Sequence, residues 1–240
     1  MRRISHNVPD YPYSHVIGSV AFSPDGHTLA VGTAQRLFLW NWRCKKLLSV
    51  SRIRYRAEID GKLQGTEGDV LPGFLQFSPD GCTLAFQGWE LMPVFLFDVA
   101  HKRVRRILPI HSEDGNALAL RFSPDSRRLL VTSFWSVSAS NFDQVHLFDT
   151  HTGRVIWHRD NAPNGVFLDE SLKCRLAAFS SDGKSIAYSS DERLEVRSAR
   201  NGQLKFAREF KVRGYDSNRY LRPLPSLASQ KKLLPDLAVH

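Results

Sequence analysis

The chain has 240 residues, of which 42% are hydrophobic, 24% charged and 11% aromatic. This is globular composition: it excludes intrinsic disorder and suits one large all-β domain or two smaller ones. The net charge is +9, and the three cysteines, Cys44, Cys82 and Cys174, are single and far apart, which excludes a disulfide framework and a Cys-x-x-Cys metal knuckle.

The N-terminus, Met1-Arg2-Arg3-Ile4-Ser5-His6-Asn7, is basic but lacks the apolar run of a secretory signal. No stretch approaches the ~18 apolar residues of a membrane span. No Asn-x-Ser/Thr acceptor occurs. The expectation is an intracellular, cytoplasmic protein with no membrane span. Residues 1–15 read as an arm, and Arg2–Val8 is a candidate latch strand.

An internal repeat then organises the chain. Phe22-Ser23-Pro24-Asp25-Gly26 recurs as Phe77-Ser78-Pro79-Asp80-Gly81, as Phe122-Ser123-Pro124-Asp125-Ser126, and as Phe179-Ser180-Ser181-Asp182-Gly183. Seven residues after each Phe comes Leu29, Leu84, Leu129 or Ile186, followed by Ala30, Ala85, Leu130 or Ala187. A third alternating segment ends at Trp40, Phe97, Phe148 or Arg197, and seven residues later Leu47, Val104, Val155 or Leu204 opens a fourth. Each unit therefore reads as four short strands joined by turns. Proline pre-sets φ in the first turn, Ser and Asp can bond the nearby backbone, and glycine accepts φ > 0. Thr152-Gly153 and Asn201-Gly202 supply hairpin chemistry between third and fourth strands. Four agreeing columns predict an all-β fold, a β-propeller of four-stranded antiparallel blades at about 16–53, 69–110, 117–160 and 173–210. Phe22, Trp40, Phe77, Phe97, Phe122, Phe148 and Phe179 are the expected structural residues of the blades, with Trp157 joining them in the core.

On these residues the chain resembles the WD-repeat propeller family. The carriers are Val20-Ala21-Phe22-Ser23-Pro24-Asp25-Gly26, Leu29-Ala30 and Leu37-x-Leu39-Trp40-Asn41, with Phe97-Asp98 and Phe148-Asp149 where the family has Trp-Asp. The resemblance spans about residues 16–210. It implies interaction scaffolding without catalysis. The family's buried polar network of His, Asp, Ser/Thr and Trp has little to build on here: only Ser190-Asp191 offers the Asp, so stability is expected to rest on apolar packing between blades. Arg197 breaks its column and reads as the mark of a terminal blade with a less-buried face. Four blades are fewer than the family's usual seven. A small closed ring, an arc completed by another propeller chain or by self-association, and a piece of a longer protein are the three arrangements compatible with that number.

Function is expected on the loops at one end of the blades. There, Arg52, Arg54, Tyr55 and Arg56, Trp89 and Met92, Phe134 and Trp135 of the long turn 134–142, and Arg159 have the composition of a binding hot spot. The competing reading has Trp89 and Trp135 packing beneath their own loops. Catalytic signatures are thin. Gly183-Lys184-Ser185 lacks the glycine of a phosphate-binding loop, with Ala178 in its place, and leads into a strand. His146 and His151 have no third ligand nearby in sequence, so no metal and no cofactor are expected. The acidic pairs Glu113-Asp114, Asp169-Glu170 and Asp191-Glu192 read as solvated loops. The basic tail, 211–240, carries six Lys/Arg against Asp216 and Asp236. It allows nucleic-acid adaptor function as an alternative, and a propeller hydrolase or lyase with a central-channel site is the other. Protein partners are the leading expectation.

Overall fold

Four stretches of strand-forming residues, each closed by the Ser-x-Asp turn, form four antiparallel sheets in the computed structural model. The structure describes residues 17–33, 36–55, 58–59, 62–63, 68–70, 72–88, 93–108, 110, 116–137, 140–164, 177–190 and 193–209. All of these lie in one unit, Met1–Glu209. The expected arm and tail lie outside the described residues.

The first sheet comprises β1 (Ile17–Phe22), β2 (Thr28–Thr33), β3 (Arg36–Asn41) and β4 (Lys46–Arg52). Two short ribbons follow, β5 (Arg54–Tyr55) paired with β8 (Gly68–Asp69) and, between them, β6 (Glu58–Ile59) paired with β7 (Lys62–Leu63). The second sheet holds β9 (Gly73–Phe77), β10 (Thr83–Gln87), β11 (Val94–Asp98) and β12 (Arg103–Leu108). The third holds β13 (Asn116–Phe122), β14 (Arg128–Val137), β15 (Ser140–Asp149) and β16 (Val155–Asn164). The fourth holds β17 (Ala177–Phe179), β18 (Ser185–Ser190), β19 (Arg193–Ser198) and β20 (Leu204–Glu209). Every sheet is a meander in chain order. Among the described residues there is no helix, so none is long and apolar enough to cross a membrane. The fold is all-β, built of propeller-type blades as a partial β-propeller.

The turn chemistry explains the repeat. In the third blade Ser123 Oγ donates to Asp125 Oδ1 at 2.6 Å and accepts from Arg128 N at 2.9 Å, while Asp125 Oδ1 also accepts from Arg127 N at 3.1 Å. The same three bonds recur around Ser23 and Asp25, Ser78 and Asp80, and Ser180 and Asp182. The serine hydroxyl first, and then the backbone amide, hold the Asp25 and Asp182 carboxyls below the usual carboxylate range. The fifth turn residue has positive φ in all four blades: Gly26, Gly81 and Gly183, with Ser126 (φ 62) where glycine is missing.

Register sets two faces on each blade. One face carries the rows Phe22-Leu29-Trp40-Leu47, Phe77-Leu84-Phe97-Val104, Phe122-Leu129-Phe148-Val155 and Phe179-Ile186-Arg197-Leu204. The opposite face carries Ala21-Ala30-Leu39-Ser49, Gln76-Ala85-Leu96-Arg106, Arg121-Leu130-Leu147-Trp157 and Ala178-Ala187-Val196-Phe206. The alanine-type face of each blade packs on the phenylalanine-type face of the next. Ala30, Leu37 and Leu39 thus share a core with Phe77, Leu84 and Phe97. Ala85 and Leu96 share one with Phe122, Leu129 and Phe148, and Leu130 and Leu147 with Ile186 and Tyr188. Phe77 is 4% exposed and Phe122 9%, whereas Phe22, whose face has no blade before it among the described residues, is 58% exposed. The core reading of the repeated phenylalanines therefore does not extend to Phe22. At the first junction Gly32 faces the Pro72 carbonyl so closely that any Cβ would overlap it.

Arg197 is not on a less-buried face. It is 7% exposed, and its Nε donates to Glu195 Oε2 at 2.7 Å and to Tyr188 Oη at 2.9 Å. Tyr188 Oη donates to the same Glu195 oxygen at 2.7 Å, and Arg197 Nη1 donates to the Gly202 carbonyl at 2.8 Å. A polar triad thus replaces the aromatic of this column, fully hydrogen-bonded between the third and fourth blades.

Candidate interaction surface

The pairings Ile17 with Thr33 and Arg36 with Arg52 gather the β1 start, the β2–β3 connection and the β4 end at one end of the first blade. The segments between blades leave from this end. The Ser-x-Asp turns and the β3–β4-type hairpins lie at the other.

At the loop end, Arg36 stands directly opposite Arg52, so both side chains lie on one face, and Arg54 follows two residues on. Like charges directly opposite in a sheet destabilise the pairing. Arg36 Nε is buried and meets no acceptor, whereas Arg52 and Arg54 both make further interactions. Tyr55 is half-buried and sets its ring edge-on to Phe95 at 5.7 Å. Tyr55 is thus an anchor tying the segment after blade one to the next core.

The other expected contact residues distribute differently. Arg56, Trp89 and Met92 lie outside the described residues. Phe134 and Trp135 do not stand in a turn: β14 and β15 continue the pairing outward, Phe134 opposite Asp143 and Trp135 opposite Phe142, to a tip after Val137. The expected long loop is therefore mostly a two-stranded extension of the third blade. Its aromatic and β-branched residues are strand formers, which is the physical reason. Arg159 is on β16 and leans toward the fourth blade, its Nε 4.0 Å from Glu195 Oε2. It belongs to a blade junction as well as to the surface.

The buried carboxylate is occupied structurally. Burial pushes Glu195 up, but the bonds from Tyr188 and Arg197 outweigh it and hold the carboxyl below its ordinary range. Burial first, and then the bond to Glu195, push the Tyr188 phenol up to about 12. Such a triad is ionised at glutamate and arginine and neutral at tyrosine at ordinary pH, with no group poised to transfer a proton near neutrality.

At the opposite end a cleft of about 360 Å³ opens between the second and third blades, lined among others by Asp80, Cys82, Arg105, Asp125, Asp149 and His151. Its carboxylates are already engaged. Asp80 and Asp125 close their turns, and Asp149 accepts from the His151 and Thr152 amides at 3.1 and 2.7 Å. Arg105 Nη2 donates to the Thr150 carbonyl at 3.1 Å. Among the described residues no three His, Cys, Asp or Glu side chains are grouped to hold a metal ion. His146 is a buried strand residue whose ring stacks beside Phe148 and His158, and His151 is in an exposed turn. Cys44 and Cys82 are free thiols.

Reading the sequence did not single out Arg36. The repeat phase, which pairs Trp40 with Leu47, places Ser51 opposite Arg36; the register shift between Leu39 and Trp40 brings Arg52 there instead, and no sequence pattern marks it. Arg197 stands out in the sequence only as a break in its column, and its partners Tyr188 and Glu195 do not stand out. Their signal was the apolar set Leu194 and Val196 alternating with two opposite charges, which marks both faces of a strand as occupied.

Among curated proteins none matches the chain. The family model described as WD domain, G-beta repeat matches residues 10–41, a span that takes in β1, β2 and β3 of the first blade. The chain therefore carries a WD repeat in its first blade, followed by three more four-stranded blades of the same plan.

Proposed function

We propose that the chain is a non-catalytic scaffold that presents the loop end of its blades to protein partners, with the Arg36, Arg52 and Arg54 rim receiving an acidic segment. WD repeats in general build protein-interaction scaffolds and are generally non-enzymatic. The observation that carries the finer reading is the direct opposition of Arg36 and Arg52. Two guanidiniums stand on one face at the mouth of a blade and a third follows two residues on, which makes this rim basic. A carboxylate-bearing partner is recognised there through forked, charge-assisted hydrogen bonds. Arg56, Trp89, Met92, Phe134 and Trp135 extend the proposed surface along the same end, with Tyr55 as its anchor and Arg159 at its margin. The free thiols suit a reducing, intracellular setting.

The test is affinity capture with the immobilised chain and two charge-reversal variants. Arg36→Glu with Arg52→Glu should lose a set of acidic proteins that the wild type retains. Lys184→Glu with Lys205→Glu, at the turn end, should retain them. If both variants keep the same set, the loop end of the first blade is not the contact.

A further inference from the structure

The three junctions of this chain share one construction, and each end of the stack carries half of it. Blade one opens the described stack with a phenylalanine-type face that no described blade covers: Phe22, Leu29, Trp40 and Leu47 in one row and Val20, Val31, Phe38 and Val50 in the next, with Phe22 and Val20 more than half exposed and Leu29, Val31, Phe38, Trp40 and Leu47 half-buried. In blade two the corresponding Phe77, Leu84 and Phe97 are buried against blade one. Blade four closes the stack with an alanine-type face: Ala178, Ala187, Val196 and Phe206. Phe206 is 49% exposed.

The position of Phe206 says what that face is built to receive. Its counterpart one blade earlier is Trp157, opposite Leu147 as Phe206 is opposite Val196. Trp157 lies flat on the hairpin of the following blade, with ring atoms 3.0–3.3 Å from where a Cβ on Gly202 would sit and Nε1 donating to the Ala199 carbonyl at 3.4 Å. Arg106, the counterpart in blade two, covers Gly153 in the same way and donates from Nε to the His151 carbonyl at 3.2 Å. The covered residue always has positive φ: Gly153 (75) and Gly202 (70). In blade one the same hairpin position is Lys45 (φ 55), and Trp42 in that hairpin sets its ring edge-on to Phe22 at 5.8 Å. Blade four thus ends with an aromatic lacking a hairpin to cover, and blade one begins with a hairpin and an aromatic row lacking a cover.

We propose that the two faces meet between two copies of this chain, the fourth blade of one against the first blade of the other, by the face-to-face packing used three times within the chain, with Phe206 in the place that Arg106 and Trp157 fill at two of those junctions. The contact is head-to-tail. A twofold arrangement satisfies both open faces of both copies at once and closes the assembly. Arg36 and Arg52 form the loop-end row of this same face, but the tests remain separable, because the Phe22 and Phe206 variants below leave both arginines in place and self-association is read on the purified chain alone.

Sedimentation of the purified 240-residue chain tests it. The wild type should exceed the 27.3 kDa of one chain and approach twice that mass as concentration rises. Phe22→Glu and Phe206→Glu each spoil a different half of the same contact, and each alone should weaken self-association at least about thirtyfold, the scale of a central aromatic anchor. Mixed one to one, they should regain a heterodimer, because one intact junction can still form. That recovery also shows that both variants are folded. Each copy carries +9, so added salt should strengthen the association by screening repulsion between the copies. A wild type that stays at the mass of one chain overturns the proposal. So does a Phe206→Glu variant that associates like the wild type, which would mean that Phe22 faces pair with each other. Association that falls with salt marks a contact made by charge and overturns it as well.

Discussion

Replacing Glu195 by leucine leaves the Arg197 guanidinium stranded. Arg197 is buried between the third and fourth blades and gives its Nε–H to Glu195 at 2.7 Å. The bond from Nη1 to the Gly202 carbonyl survives the substitution, but it is neutral and does not balance the charge. Tyr188 loses the 2.7 Å acceptor for its hydroxyl at the same time. The ion pairs of Glu195 with the partly exposed Arg159 and Arg193 add little, because solvent screens them. Breaking one member of a buried pair costs about 3–5 kcal/mol. For a chain of this size that is a fall in melting temperature of roughly 6–20 °C. Urea unfolding measures the loss, and hydrogen exchange at β18, β19 and β20 locates it. The triple variant Tyr188→Phe, Glu195→Leu, Arg197→Met removes all three polar side chains of the triad, leaving only the part-buried Gly202 carbonyl without its donor, and it should return to within about 1–2 kcal/mol of wild type. The reasoning is refuted if the single substitution costs less than about 1 kcal/mol, or if the triple variant is as unstable as the single one.

The same triad sets an alkaline limit. The Tyr188 phenol is raised from its ordinary 10.0 to about 12, so its contribution is complete below pH 10 and is lost as pH climbs from 10 to about 12. The loss is on the order of 3 kcal/mol, and a pH series of melts should show Tyr188→Phe escaping this decline. Phe77→Ala should cost about 3–5 kcal/mol, and Phe22→Ala, on the uncovered face, less than about 1 kcal/mol in dilute solution; equal costs in urea titrations would mean that the first blade is covered. Gly32→Ala should cost more than about 2 kcal/mol, because its methyl meets the Pro72 carbonyl backbone. Gly26→Ala has open space and bears only the strain of its φ of +67, about 1 kcal/mol by the same assay. Ser123→Ala removes the hydroxyl that both donates to Asp125 and accepts from Arg128 N, and should lower stability by about 1 kcal/mol.

The blades were legible in the sequence because their turns are local. Ser123, Asp125 and the positive-φ residue after them satisfy one another within six residues, so their spacing survives translation into letters. The strand columns were legible for a related reason, since register copies the turn phase into every later strand of the blade. What depends on a neighbouring blade was harder to read. Arg197 broke a column and looked like exposure, whereas burial there is made tolerable by Glu195 and Tyr188, one on the same strand and one across it. Phe22 carried the same pattern as Phe77 and differs only in having no blade before it, a fact that no local pattern encodes. At the candidate surface Tyr55 was visible as an aromatic among arginines, but its role as an anchor depends on Phe95, forty residues away. The segment from Phe134 to Phe142 falls between the second and third strand columns, which predicts a turn, whereas Phe134, Trp135, Val137 and Phe142 are strand formers and the pairing continues through them.

The missing side chain at residue 32 governs an angle as well as a distance. Where the β2 backbone rests against the Pro72 carbonyl, the inner part of the first junction closes tightly while Tyr55 and Phe95 fill space nearby. A wider gap at this level would turn blade one relative to blade two, and the number of blades in a complete circle is a full turn divided by the angle between neighbours. A single methyl at residue 32 would act as a shim and tilt the first blade. A substitution far from any contact surface could then change how many blades a closed assembly of such chains requires.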